Sequence, residues 1–479
     1  MLLGLDLGTS GLKGIIIDDD QAVVAVADAP LSVLRPHEGW SEQIPADWIS
    51  AAEQVLDALA SQIDMASIQG IGLSGQMHGA TVLDENDAVL RPSILWNDTR
   101  SSIEAAEMDA DPKWREISGN IVFPGFTAPK LKWMQKNEPG LFAKVAKVLL
   151  PKDYLRLWLT GEYISDMSDS AGTSWLDPAA RDWSDTLLEL SGFSRDQMPS
   201  LVEGSEPGGM LRDEIASRWG MRPKVVVAGG GGDNAASGIG VGVVSAGQAF
   251  VSLGTSGVLF AATESYTPAP ETAVHTFCHA LPGKWHQMGV VLSAADSLDW
   301  FAGLLDSEPA KLTGDLGSLA APGKTIFLPH LGGERTPLND AHIRGAFIGL
   351  EHATGRKEAT RAVVEGIAFS LCDCRDALAA TGTSIDGLLA VGGGSRSAYW
   401  LKVLATALDV PIQVPVAGEF GGAYGAARLG YMAATGGGAE IAQPPPIAQT
   451  IEPDAGLTAA FTDAHHRYRE AQSAIRGLT

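Results

Sequence analysis

Leu7-Gly-Thr-Ser-Gly11 recurs as Leu253-Gly-Thr-Ser-Gly257, about half a chain later. Apolar runs flank both copies, at 2–5 and 12–17 around the first and at 249–251 and 258–261 around the second. An apolar run, a Gly/Ser/Thr turn and a second apolar run predict a β-hairpin. Such a turn presents backbone N–H groups and hydroxyls to an anion, so Gly8, Thr9 and Ser10 read as one phosphate cradle and Gly254, Thr255 and Ser256 as another. One cradle in each half predicts two related lobes gripping one polyphosphate. Asp6 precedes the first copy and Ser252 the second. A carboxylate beside phosphate oxygens repels them unless a divalent cation lies between.

The bulk numbers bound what such a protein can be. A chain of 479 residues exceeds one ordinary core, so two domains are expected. With 45% hydrophobic and 19% charged residues the chain is globular, and its 56 glycines gather in short loops, at 229–232, 392–394 and 421–422. Clustered glycines fit backbone that approaches a ligand closely. A net charge of −23 argues against nucleic acid or an anionic membrane as partner. A nucleotide stays open, because amides, helix N-termini and Mg²⁺ reverse the field inside a cleft. Three cysteines (Cys278, Cys372 and Cys374) make no disulfide framework. Neither a basic leader nor an apolar run of ~20 residues is visible, so a cytoplasmic location is expected.

Strands are expected at 2–6, 12–17 and 22–27, followed by a helix burying Trp48, Ile49, Ala52, Val55, Leu56 and Leu59, with Asp47 as its cap. Further strands are expected at 68–74, 147–151 and 224–228. The pattern restarts near residue 246, with a hairpin over 247–262, a long helix over 356–380 and a strand over 387–391. Alternating strands and helices place the chain in the α/β class. Each glycine cluster is followed by small residues, at 234–242 and 421–430, which would let two helices cross closely as a hinge. The domain boundaries drawn from this are 1–245, 246–435 and 436–479, with 436–453 as a linker and 455–477 as a surface helix.

Some motifs mislead. Gly323-Lys-Thr325 ends like a P-loop, but Ser318 stands where the motif needs glycine and an apolar run follows. His275, His279 and His286 lack the partners of a zinc site and read as structural. Cys372 and Cys374, two apart on a helix, face different ways and read as buried small hydrophobes. Three places are left to carry chemistry. Asp6, at a strand end beside the first cradle, is suited to hold Mg²⁺ against the β- and γ-phosphates. Asp233, after four glycines, is suited to take a proton from a hydroxyl attacking the γ-phosphate, working late along a loose transition state with a pKa near its reference value. Gln76, Met77, His78, Trp96, Asn97 and Asp98 combine polar groups with flat or soft apolar surface, the mixture a sugar requires.

These residues also carry a resemblance. Asp6-Leu-Gly-Thr-Ser10, Gly75-Gln-Met-His-Gly79, Ile94-Leu-Trp-Asn-Asp98 with Arg100, and Gly232-Asp-Asn234 resemble the FGGY carbohydrate kinases. Pro124 to Trp133 and Gly345 to Gly366 are similar to the two family signatures. Pro151 to Leu155, Ser252 to Gly257, Leu328-Pro329 with Glu334 to Pro337, and Gly392 to Ser397 follow in family order. The likeness spans roughly 2–435, and the fourth glycine before Asp233 departs from the three expected. It implies a two-lobed, actin-like (ribonuclease H-like) ATPase fold with the active site in the cleft between the lobes. It implies ATP and Mg²⁺, with Asp233 as base, Asp6 at the metal, and Met77, His78 and Asn234 at the sugar. Thr255 would lie near the phosphates, and Gly393, Gly394 and Ser397 near the adenosine. The acceptor implied is a ketopentose, D-xylulose at its 5-hydroxyl, with ribulose, glycerol or gluconate as alternatives within the family. Rivals from other classes are an actin-like ATPase without a sugar site and a catalytically silent sugar sensor. Sugar and ATP are the partners expected, a homodimer being left open.

Overall fold

The computed structural model describes residues 1–416, 418, 420–476 and 478. Two seven-stranded sheets organise it, one in each half. In the first, strand Leu2–Leu7 pairs antiparallel with Gly11–Ile17 and parallel with Gly70–Gly75. In the second, Gly247–Leu253 pairs antiparallel with Gly257–Thr263 and parallel with Ile385–Val391. The same hairpin is therefore joined to the same parallel neighbour twice. Each sheet continues through a further parallel strand, Val226–Ala228 in the first and Ile412–Pro415 in the second. Both repeated pentapeptides lie at the hairpin tips, as their flanking apolar runs predict.

Local sequence explains these elements. Helix Pro45–Ala60 buries Trp48, Ala52, Val55, Leu56 and Leu59 at helical spacing. The Val55 side chain lies so close to Gly14 that a Cβ there would overlap it. Pro45 starts this helix and Asp47 sits in its first turn without capping it, so the cap expected at Asp47 is corrected. The long helix Arg356–Ala380 has the predicted bounds and buries Val363, Val364, Ile367, Leu371 and Leu378 against the second sheet. On it the Cys372 thiol meets the Ala407 carbonyl while Cys374 packs at Gly289, so the two thiols do face apart.

Small residues set the junction between the halves. Helices Asp233–Val241 and Gly422–Thr435 cross where a Cβ on Gly425 would overlap the Ala236 carbonyl. The second of these helices also lies across the first sheet, where side chains on Gly4 or Gly72 would strike its backbone at Ala423 and Ala426. Glycine is needed at these contacts for lack of room. The stretch expected as a linker instead contains strand Ile447–Ile451, which pairs antiparallel with Ile412–Pro415 at the edge of the second sheet. Its Pro444–Pro446 run punctuates the chain without preventing an edge strand. Helix Thr458–Arg476, expected on the surface, buries Phe461, Ala464 and Tyr468 in the core of that lobe. Residue 477, expected to end this helix, lies outside the described residues. Among the described residues no helix is long and apolar enough to cross a membrane.

Candidate active site

The first sheet brings Asp6 and Asp233 together. Asp6 sits one residue from the end of its strand, in register with Ser74 on the parallel neighbour. Strand Gly231–Gly232 pairs with that same neighbour and leads into Asp233, the first residue of its helix. Asp6 Oδ1 and Ser74 Oγ are buried side by side, and no well-formed hydrogen bond engages either. Burial raises the Asp6 pKa, against the opposing influence of the Ser74 hydroxyl and the Lys13 charge. A cation and its water would satisfy these oxygens, and Mg²⁺ commonly takes one or two carboxylates, the rest of its shell coming from water and phosphate.

The Asp233 carboxyl is pushed up to about 6, first by burial and then by the neighbouring Asp6 charge. Asn234 opposes the shift, donating to Asp233 Oδ1 from its backbone amide at 2.7 Å and from Nδ2 at 2.9 Å. One carboxylate oxygen is thus held and the other left to accept a proton. A pKa near the reference value, the sequence expectation, is corrected: the group is a stronger base, still mostly ionised at pH 7.

Behind this carboxylate lies a network to which the family-like stretch 151–155 contributes Lys152 and Asp153, and whose other members come from elsewhere in the chain. Lys152 is completely buried among Asp153, Asp166 and Asp169, with Nζ 2.8 Å from Asp166. Arg156 donates to the carbonyls of Ala228 and Gly229 at the root of the glycine loop. Ser168 Oγ donates to Asp166 and accepts from the Gly232 amide at 3.1 Å. The four-glycine loop is therefore tied down at both ends.

The sugar-type residues divide. Gln76 is 2% exposed. Its Oε1 accepts from Thr9 Oγ1 at 2.9 Å, and its Nε2 donates to Gln43 at 2.8 Å. Asp98 is also buried, accepting from the Ser41 amide and from Arg100. Both brace the cleft wall. Trp96 is 46% exposed and donates from Nε1 to Thr9 Oγ1, leaving a ring face over the first hairpin. Asn97 Oδ1 is buried without a partner. Met77 packs on Gly232, next to the base, and His78 follows in a left-handed conformation with φ of 69°.

His78 Nδ1 lies 2.6 Å from the Gly172 carbonyl, which only accepts. The imidazole therefore carries its proton on Nδ1 and offers Nε2 as an acceptor. Burial, then the Lys130 charge, depresses its pKa to about 3, so it stays neutral. Phe126 stacks on the ring at 4.5 Å and supplies the apolar surface beside it.

In the second lobe the hydroxyls of Thr255 and Ser256 make no hydrogen bond among the described residues. The Thr255 carbonyl accepts from Ala294 N at 2.8 Å. Gly254, Thr255, Gly393, Gly394 and Ser397 line a cavity of about 760 Å³, with Leu298 and Tyr399 adding apolar surface. That volume suits a nucleoside. Gly394 lies against Leu253 and Trp400, where a side chain would collide. Ser397 caps the following helix by accepting from Trp400 N at 3.3 Å. The three histidines weighed as a metal site are buried, His286 stacking on Phe260 and His275 on Phe277.

Comparison with known proteins places this geometry. Residues 1–240 match the N-terminal domain of the FGGY family of carbohydrate kinases and 249–434 its C-terminal domain. The chain is similar to xylulose kinase of Escherichia coli strain K12, 48% identical with 98% of each chain covered. It is 46% identical to xylulose kinase of Klebsiella pneumoniae, all of both chains being covered. The crystal structure of a xyloylose kinase from Brucella ovis superposes with a TM-score of 0.99 at 60% identity, over 100% of both chains. Plasmodium falciparum glycerol kinase shares the fold, with a TM-score of 0.89 at 18% identity, covering 98% of this chain and 97% of its own.

Proposed function

This chain belongs to the FGGY family of carbohydrate kinases, an enzyme of two-lobed, actin-like fold, and we propose that it transfers the γ-phosphoryl group of ATP to the 5-hydroxyl of D-xylulose. ADP and D-xylulose 5-phosphate are the products. The observation that carries this reading is the carboxylate of Asp233, set beside Asp6 and next to Met77 and His78.

Asp233 orients the attacking hydroxyl and accepts its proton as the bond to phosphorus forms. Its raised pKa makes that transfer more favourable than at an exposed aspartate. Asn234 keeps one carboxylate oxygen engaged so that the other faces the substrate. His78 Nε2 accepts from a sugar hydroxyl, and Met77 and Phe126 cover C–H faces. Trp96 and Asn97 close the site on the side of the first hairpin. The hydroxyls of Thr255 and Ser256 hold phosphate oxygens beside Gly254, while Gly393, Gly394 and Ser397 border the adenosine. Asp6 would hold Mg²⁺, which when bound neutralises charge on the β- and γ-phosphates. The crossed helices Asp233–Val241 and Gly422–Thr435 serve as the hinge, and closure excludes water that would otherwise take the phosphoryl group.

A panel of acceptors in a coupled ADP-release assay tests the reading. D-Xylulose is expected to give the highest kcat/KM, with D-ribulose, glycerol and gluconate well below it. A higher kcat/KM for any of those three overturns the assignment of the acceptor. Full-rate ATP hydrolysis without any acceptor overturns the kinase mechanism.

A further inference from the structure

Arg335 is the one cation facing the sugar loop from the second lobe whose side chain has no acceptor among the described residues. Its backbone is pinned on both sides. Glu334 Oε1 accepts from the amides of Leu292 at 3.0 Å and Arg335 at 2.8 Å, and Thr336 Oγ1 donates to the Ala273 carbonyl at 3.0 Å. The guanidinium lies over the Phe123 ring, 4.7 Å from its centre. Its charge is felt at His78 and His275. Among the described residues it makes no hydrogen bond or ion pair of its own, although burial penalises the charge. A guanidinium carries five donors, and those of the half-buried Arg335 are left for a ligand to engage.

We propose that Arg335 is a sugar-recognition residue that donates to the C1 hydroxyl and C2 carbonyl oxygens of the ketopentose. This rests on the acceptor proposed above. Asp233 receives the 5-hydroxyl, and Met77 packs at Gly232 beside it. From His78, which follows Met77, ring contacts run through Phe126 to Phe123, over which Arg335 lies, so the end of the sugar away from Asp233 is what His78 and Arg335 would meet. The two contribute opposite chemistry, an imidazole nitrogen that accepts and a fork that donates. They also come from different lobes. A sugar bound between them ties the lobes together, so acceptor recognition and cleft closure become one event.

Steady-state kinetics of Arg335→Met and Arg335→Lys with D-xylulose and 1-deoxy-D-xylulose test this. Arg335→Met is expected to raise the KM for D-xylulose about 10²-fold while the KM for ATP stays within about twofold. The wild-type preference for D-xylulose over its 1-deoxy analogue should collapse in this variant. Arg335→Lys, which keeps charge without the fork, should recover part of the KM and little of the preference. An unchanged KM, or an equal loss for both sugars, overturns the inference while leaving the kinase reading intact. Wild-type enzyme inactive on every pentulose removes both.

Discussion

At the first hairpin the Thr9 hydroxyl is engaged twice, donating to Gln76 and accepting from Trp96, while Gln43 Nε2 grips the Thr9 carbonyl at 2.7 Å. At the second hairpin the Thr255 hydroxyl has no partner among the described residues and its residue is exposed. The pentapeptides are identical and their strand pairings match. What differs is the surroundings. Gln43, Gln76 and Trp96 latch the first tip to the cleft wall by side chains, whereas among the described residues the second tip is held only through its carbonyls, which accept from the amides of Ala294 and Ala295. Asp6 faces Ser74 in the first sheet, whereas its counterpart Ser252 faces Val391 in the second. An identical motif thus acquires its role from what packs behind it: a braced platform with a carboxylate in one lobe, free hydroxyls beside a nucleoside-sized cavity in the other.

The strongest way to break this comparison is to remove the group that only the first lobe carries at its centre. Asp233→Ala is expected to lower kcat by about 10³- to 10⁴-fold with the Kd for ATP nearly unchanged. Single-turnover transfer at the wild-type rate would remove Asp233 as the base. In the wild-type enzyme, kcat/KM for the sugar should fall tenfold per pH unit below about 6, as that carboxylate protonates. A flat profile from pH 5 to 8 would contradict its role.

Paired substitutions sharpen the contrast between the tips. Thr9→Val leaves Gln76 and the Trp96 N–H short of partners and should destabilise the fold by about 1–3 kcal/mol, read by denaturant unfolding. Thr255→Val breaks no hydrogen bond of the free protein, so stability should hold while the KM for ATP rises by roughly 3- to 10-fold. Matching stability losses would mean that the tips are equivalent after all.

A further expected effect is a gain. A carboxyl whose pKa is raised by folding costs stability when ionised, so the protein regains that stability as pH falls through about 6. At pH 8, Asp233→Asn should be about 1–2 kcal/mol more stable than wild type, discounting for the partial opening of the cleft. The gap should shrink from pH 6 towards pH 4. A gap that persists at pH 4 would assign the gain to something other than charge.

The placement of Asp6 and Asp233 at neighbouring strand ends was legible because the signals around them are local in sequence. Asp6 precedes a turn signal and Asp233 follows a glycine run at a strand end, so type, spacing and place agree. The helix Arg356–Ala380 was legible for a similar reason, a long uninterrupted apolar period. Gln76 and Asp98 looked like sugar ligands because residue type does not report burial, and both are consumed by partners far along the chain. Gln43 carries no local signature, and although Lys152 and Arg335 fall in the family-like stretches 151–155 and 334–337, what they do comes from neighbours brought by tertiary packing. Strand Ile447–Ile451 was missed because it is an edge strand, mostly exposed and preceded by prolines, with little periodic burial to read.

The claim that the two hairpins divide the work is tested most directly by titrating Mg²⁺ at saturating ATP and sugar in Asp6→Ser and Ser252→Ala side by side. The account predicts that the half-saturating Mg²⁺ concentration rises at least tenfold in Asp6→Ser and stays within about twofold of wild type in Ser252→Ala. Equal shifts in the two variants, or none in Asp6→Ser, would contradict it.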